Sequence, residues 1–157
     1  MTNATIGILA VLVIYSVLYA LRHGIPTMIS EMYYGAERTT KYVCPMLLVL
    51  LAFAMCGASM GKGVDCIAFM MCAGLMFVGV APAYLQEGAR AVHKCGACVA
   101  GAAAVVWALT AWPWAVVVGV VFTAAALAVD GRRGERWLYW CEWGGIVCAV
   151  AALIWKY

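Results

Sequence analysis

Apolar residues fall in six long blocks along the chain, at about residues 5–22, 42–60, 64–83, 93–111, 114–129 and 137–155. Within each block they run almost without interruption. They lack the period-2 alternation of a barrel strand. A helix needs roughly 20 apolar residues to span the hydrocarbon, and only helices and closed barrels satisfy their backbone there. The pattern therefore predicts an all-α fold: a polytopic membrane bundle of six transmembrane helices with short loops, forming one domain over residues 1–157. The one longer connection runs from His23 to Lys41. The first block reads as a retained helix rather than a signal peptide. Met1 to Gly7 holds no Lys or Arg, and no small-x-small cleavage site follows the apolar run.

Composition agrees with this reading. Of 157 residues, 68% are hydrophobic and 11% charged, with mean hydropathy +0.98. A soluble domain carries about 25% charged residues. The net charge of +3 is small and scattered, which excludes a nucleic-acid partner. Where the charges sit is more informative. The first, third and fifth connections and their edges hold Arg22, Arg38, Lys41, Arg90, Lys94, Arg132, Arg133 and Arg136, whereas the opposite side holds only Lys62 and Lys156. The positive-inside rule then places both termini outside the cytoplasm, in a multi-pass protein of the cell inner membrane. Aromatic residues mark the span ends: Trp112 and Trp114 flank Pro113, Trp137 opens the last span, and Trp155 and Tyr157 close it.

Most of the eight cysteines lie inside predicted spans, where Cys acts as a small apolar residue. Cys95-Gly-Ala-Cys98 is a C-x-x-C beside His93 and Lys94, a spacing that supports thiol–disulfide exchange if a thiolate is stabilised and accessible. No second pair stands in a facing loop. Ionisable groups in or near a membrane are functional candidates by default. Here they are Ser30, Glu31, Gln86, Glu87, His93 and Glu142, with Asp65 apart. Glu142 lies about 7–8 Å along its helix from Trp137. The first six belong to connections on one side and can converge on a cavity there. Asp65 lies about 30 Å of helix away from Gln86. A His and several carboxylates beside a hydroxyl can work as general acid and base on a lipid head group. They can equally hold a divalent metal, although no metal signature such as two His at i and i+4 is present. Plainer roles stand beside these. His93 can anchor a helix start, Glu142 can ion-pair with Arg133 or Arg136, and Ser30 and Glu31 can cap a loop. Gln86 and Glu87 can form an interfacial loop, and Asp65 can start a helix.

Three stretches give the chain a family resemblance. Pro26-Thr-Met-Ile-Ser30-Glu31 is similar to Pro-x-Ile-Ser-Asp with one added residue. Gln86-Glu87, then Val92-His93 and Gly96-Ala97, is similar to Phe-Gln-Glu, a later His and Gly-Ala, with Leu85 in place of the Phe. Cys141-Glu142-Trp143 is similar to a Glu-Trp of the sixth span. Asp65 stands where a polar Asn is usual. In this order the motifs resemble the six-span damage-regulated autophagy modulator (DRAM) family. That family includes the Golgi protein of GPI-anchor lipid remodelling and plasma-membrane proteins linked to phosphoinositide handling. The chain resembles a short version with trimmed loops, of prokaryotic or phage type. The family places its first connection on the lumenal or extracellular side, opposite to the side that the Lys and Arg distribution gives here. The resemblance implies a lipid-related role and no particular reaction.

The leading functional expectation is lipid binding or remodelling, with membrane lipid as partner. His93, Glu87, Glu142 and Ser30 would carry any chemistry, and Glu31 and Gln86 would bind substrate. In an enzymatic version His93 is the general base, Glu87 and Glu142 orient it or bind metal, and Ser30 is nucleophile or head-group ligand. The alternative is a non-enzymatic scaffold or small homo-oligomeric partner. It would pack through Gly96, Ala97, Gly101 and Ala104 and through Gly144-Gly145. A transporter would need polar groups at mid-bilayer, and a thiol oxidase would use Cys95 and Cys98. No cofactor is named by the sequence.

Overall fold

The computed structural model describes residues 2–81, 87–131 and 133–155, without side chains at 2, 87–90 and 133–134. Among these residues every regular element is helical. In chain order they are α1 (Thr2–His23), a 3₁₀ turn (Ile29–Glu31), α2 (Met32–Gly35), α3 (Val43–Ser59), α4 (Asp65–Val80), α5 (Glu87–Ala111), α6 (Trp114–Asp130) and α7 (Arg133–Trp155). Six of them match the six apolar blocks. Pro113 stands at the tight corner between α5 and α6 as the residue preceding α6, where its missing N–H costs no helical bond. Asp65 opens α4 and accepts the Gly61 amide at 2.8 Å.

Two helices start earlier than the apolar pattern predicts. α5 begins at Glu87 and α7 at Arg133, so the polar stretch before each apolar block is already helical. His93 and Glu142 consequently sit well inside their helices. The apolar pattern misses this because it registers only the part that faces core or lipid.

The all-α expectation holds, while fewer than six helices reach a full spanning length. Among the described residues three helices are long and apolar enough to cross a membrane: Asn3–His23, Ala91–Ala111 and Glu135–Trp155. The apolar helices Val43–Ser59, Asp65–Val80 and Trp114–Asp130 are shorter. At 17 residues, α3 and α6 are about 25 Å long, under the roughly 30 Å of a hydrocarbon core.

The bundle packs α3 against α1 and α4, α5 against α4 and α7, and α6 against α7. Two crossings depend on glycine. A Cβ at Gly74 would lie 2.6 Å from the Ala100 amide nitrogen, and one at Gly96 would lie 2.9 Å from Phe77 Cβ. At the α6–α7 crossing, a Cβ at Gly119 would lie 2.8 Å from Gly144 O, and one at Gly144 would run into Thr123 Oγ1. Gly96 and Gly144, read from sequence as surfaces for a partner, are therefore used within the chain. The core between the helices includes Leu12, Leu48, Leu51, Met55, Trp107 and Leu153, each at most 2% exposed. The outer surface is also apolar: Ile14, Val17 and Leu21 on α1, Phe53 on α3, Phe69 and Phe77 on α4, and Val120 and Val121 on α6 are exposed. A helix that is apolar on every side is suited to a membrane rather than to water.

The 23–41 connection is more than a loop. Pro26, Ile29, Ser30, Met32 and Tyr33 are all buried, so the segment folds back into the end of the bundle.

If the Gly74 crossing is as tight as its geometry indicates, Gly74→Val should lower stability by about 1–3 kcal/mol, the usual cost of overpacking. Gly101→Val, where an added Cβ meets open space, should stay within about 1 kcal/mol of the parent. Thermal unfolding in detergent checks the pair. Equal losses would mean that α4 and α5 do not approach so closely.

Candidate functional site

The returning connection brings its 3₁₀ turn against α3, α5 and α7. Polar groups of the connection and of the helices partner one another there. The Ile29 amide donates to Glu142 Oε2 at 2.6 Å. The Ile29 carbonyl accepts a long, weak contact from Cys44 Sγ at 3.7 Å. The Tyr139 amide donates to the Thr27 carbonyl at 3.0 Å. Glu31 folds back on its own loop, where its Oε2 accepts the Thr27 amide at 2.6 Å and Thr27 Oγ1 at 2.9 Å. Glu31 is thus a loop-bracing carboxylate. Beside it, Lys41 Nζ lies over the Tyr33 and Tyr42 rings, 5.6 and 4.8 Å from their centroids. Burial pushes the Tyr33 hydroxyl pKa up. The hydrogen bond with Tyr33 pulls that of Tyr42 down, and Lys41 adds to this.

Ser30 and His93 meet directly. Ser30 Oγ lies 3.0 Å from His93 Nε2, and His93 Nδ1 lies 3.3 Å from the Val78 carbonyl. A carbonyl can only accept, so Nδ1 carries the proton in that contact, and in the neutral imidazole Nε2 is left as the acceptor. The Ser30 hydroxyl then donates to Nε2. A hydroxyl, a base within hydrogen-bond reach and a third group orienting the base form the arrangement that activates a nucleophile.

Between α3, α4, α5 and α7 lies a cavity of about 270 Å³. Its walls are almost wholly apolar and include Leu48, Met71, Leu75, Ala104 and Ile146. Among the described residues Glu142 is the one carboxylate lining it, and Ile29 and Val78 stand in its wall. Those two residues are the immediate neighbours of the Ser30–His93 pair, through the chain and through the Nδ1 contact. The volume is just below the roughly 300–1,000 Å³ of small-molecule sites. Gly101 and Gly145 line the cavity, and an added Cβ at either meets nothing within 4 Å. Cys98, Leu138 and Cys141 line it and are also exposed. The cavity therefore opens sideways between α5 and α7, through an apolar flank.

Of the six sequence candidates, the structure gathers Ser30, His93 and Glu142 around one turn and turns Glu31 toward Thr27. Gln86 lies outside the described residues, as does the side chain of Glu87. The alternative pairing of Glu142 with Arg136 is not formed: Arg136 Nη1 binds Asp130 Oδ1 at 2.9 Å, and Trp140 Nε1 donates to Asp130 Oδ2 at 3.1 Å. Arg136 is drawn to the corner between α6 and α7, and the Glu142 carboxylate finds the Ile29 amide. The side chain of Arg133, the other proposed partner, lies outside the described residues. Among the described residues, no three His, Cys, Asp or Glu side chains come together as a metal site requires. Cys95 and Cys98 are both free and exposed on α5.

Sequence reasoning missed Thr27, Val78 and Tyr139, which act through backbone groups, and Asp130. Thr27 has a weak signal, a hydroxyl four residues before Glu31. A backbone carbonyl such as that of Val78 leaves none. No protein-family model, characterised protein or solved structure matches the chain.

The Glu142 bond can be tested by substitution. Glu142→Ala strands the Ile29 amide and should cost about 1.5–3 kcal/mol, as for a hydrogen bond to a charged group. Glu142→Gln keeps an acceptor oxygen and should recover about half of that or more. Unfolding in detergent reads both, and equal losses would contradict the hydrogen bond.

Proposed function

We propose that this is a six-span integral membrane protein that takes a lipid chain into its apolar cavity and holds the lipid's polar end at Ser30, His93 and Glu142. One observation carries this reading. A laterally open apolar cavity has the Glu142 carboxyl in its wall, beside the turn that pairs Ser30 with His93, so apolar space adjoins hydrogen-bonding groups as the two halves of a lipid require. The exposed Phe, Val and Leu residues on α1, α3, α4 and α6 support six spans. The shorter helices, at 16 and 17 residues, sit at or just under the low end of the spanning range, and a short helix crosses by local thinning of the bilayer.

The same end of the bundle carries the 3₁₀ turn, His93 and Arg136. With the Lys and Arg distribution, this favours a cytoplasmic location for the polar end and external termini, in a cell inner membrane. A distant relationship to the autophagy-modulator family is part of the proposal. It rests on the order of the three motifs, each of which supplies one of the residues gathered at the turn. The scaffold reading draws less support, because Gly96 and Gly144 pack inside the chain.

Filling the cavity tests the proposal. Gly101→Leu and Gly145→Leu extend into the space with little steric cost at Cβ. Each should reduce co-purified phospholipid or fatty acid, measured by mass spectrometry of the intact protein, by about tenfold or more, with thermal stability unchanged. Undiminished lipid in both variants would contradict a cavity-bound chain.

A further inference from the structure

Resting on the lipid reading above, we propose that Ser30 is an acyl-accepting nucleophile with His93 as its general base, and that the substrate class is the carboxylic ester of a membrane lipid. The observations are geometric. Ser30 is only 5% exposed, yet its hydroxyl is committed to an imidazole nitrogen at 3.0 Å rather than to a helix carbonyl. Ser16, by contrast, donates to the Leu12 carbonyl within its own helix, the ordinary fate of a buried serine in an apolar bundle. The imidazole is fixed from its other side by Val78 O, which sets the tautomer needed for proton abstraction. The turn carrying Ser30 is locked one residue earlier by Glu142. Glu142 is thus a positioning residue for the nucleophile. The pair adjoins the cavity through the wall residues Ile29, next to Ser30 in the chain, and Val78, whose carbonyl touches His93.

The chemistry closes without an outside oxidant or reductant. Ser30 Oγ forms a bond to the ester carbonyl carbon while its proton passes to His93 Nε2. The adduct collapses with cleavage of the carbon–oxygen ester bond, and His93 returns the proton to the departing alkoxide. Water, or the hydroxyl of a second lipid, then gives its proton to His93 and attacks the acyl-serine. Free acid or a new ester leaves, and the proton returns to Ser30 Oγ. With water the net reaction is hydrolysis, and with a lipid hydroxyl it is acyl transfer.

The test uses the full chain in phosphatidylcholine–phosphatidylglycerol nanodiscs, treated with long- and short-chain alkyl fluorophosphonates. Peptide mass spectrometry then locates the adduct. The expected result is a single phosphonate on Ser30, formed at least 10-fold faster with the long-chain probe. Ser30→Ala should abolish it. His93→Gln, which keeps a polar partner but no base, should slow it about 100-fold or more. The adduct site on the parent chain needs no variant, so a folding defect in Ser30→Ala leaves the test intact. No adduct on Ser30 while bound lipid is retained overturns the nucleophile alone, as does a parent-like rate in a folded His93→Gln. Equal labelling of Ser30 by both probes keeps the nucleophile and overturns the lipid reading.

Discussion

The bond from the Ile29 amide to the Glu142 carboxylate holds the polar end of this protein together. In a chain so apolar, a segment that turns back into the bundle brings backbone groups that no solvent will satisfy, and each such group costs about 1–3 kcal/mol if left alone. Glu142 supplies the acceptor for one of them. The exposed Thr27 carbonyl accepts the Tyr139 amide and ties the connection to α7. With the turn fixed, Ser30 is presented to His93, and Ile29 closes one end of the cavity. The Glu142 carboxyl gains too, because a polar group taken out of water without a partner is itself costly.

The same constraint accounts for how much could be read from sequence. The helices were legible because hydrocarbon demands long apolar runs: α3 at Val43–Ser59 and α6 at Trp114–Asp130 fall within a residue or two of the blocks 42–60 and 114–129. The starts of α5 and α7 were not, since a helix that leaves the apolar layer keeps its hydrogen bonds but loses its hydropathy signal. The gathering of Ser30, His93 and Glu142 at one end was also legible, from the alternation of sides along a multi-span chain. Their individual partners were not. Glu142 binds a main-chain amide and His93 touches a main-chain carbonyl, and such groups carry no residue identity. The sequence offered arginines for Glu142, but Asp130 takes Arg136.

Small residues divide in a way that spacing alone does not reveal. Gly74 and Gly96 are needed where α4 meets α5, and Gly119 and Gly144 where α6 meets α7. Gly101, five residues past Gly96, and Gly145, next to Gly144, leave room instead. Close packing at one level and open space at the next let α5 and α7 form both a crossing and a cavity with its lateral opening. Dispersion draws helices together where backbones approach, and the space left beside them takes whatever apolar group the membrane offers.

Hydrogen exchange at the Ile29 amide, read by NMR on the full chain in nanodiscs, tests the returning turn most directly. The expected result is protection comparable to the helix amides of α3 and α7, lost in Glu142→Ala while those helix amides stay protected. Exchange of Ile29 as fast as an exposed loop amide in the parent protein would contradict the turn, and with it the pairing of Ser30 with His93.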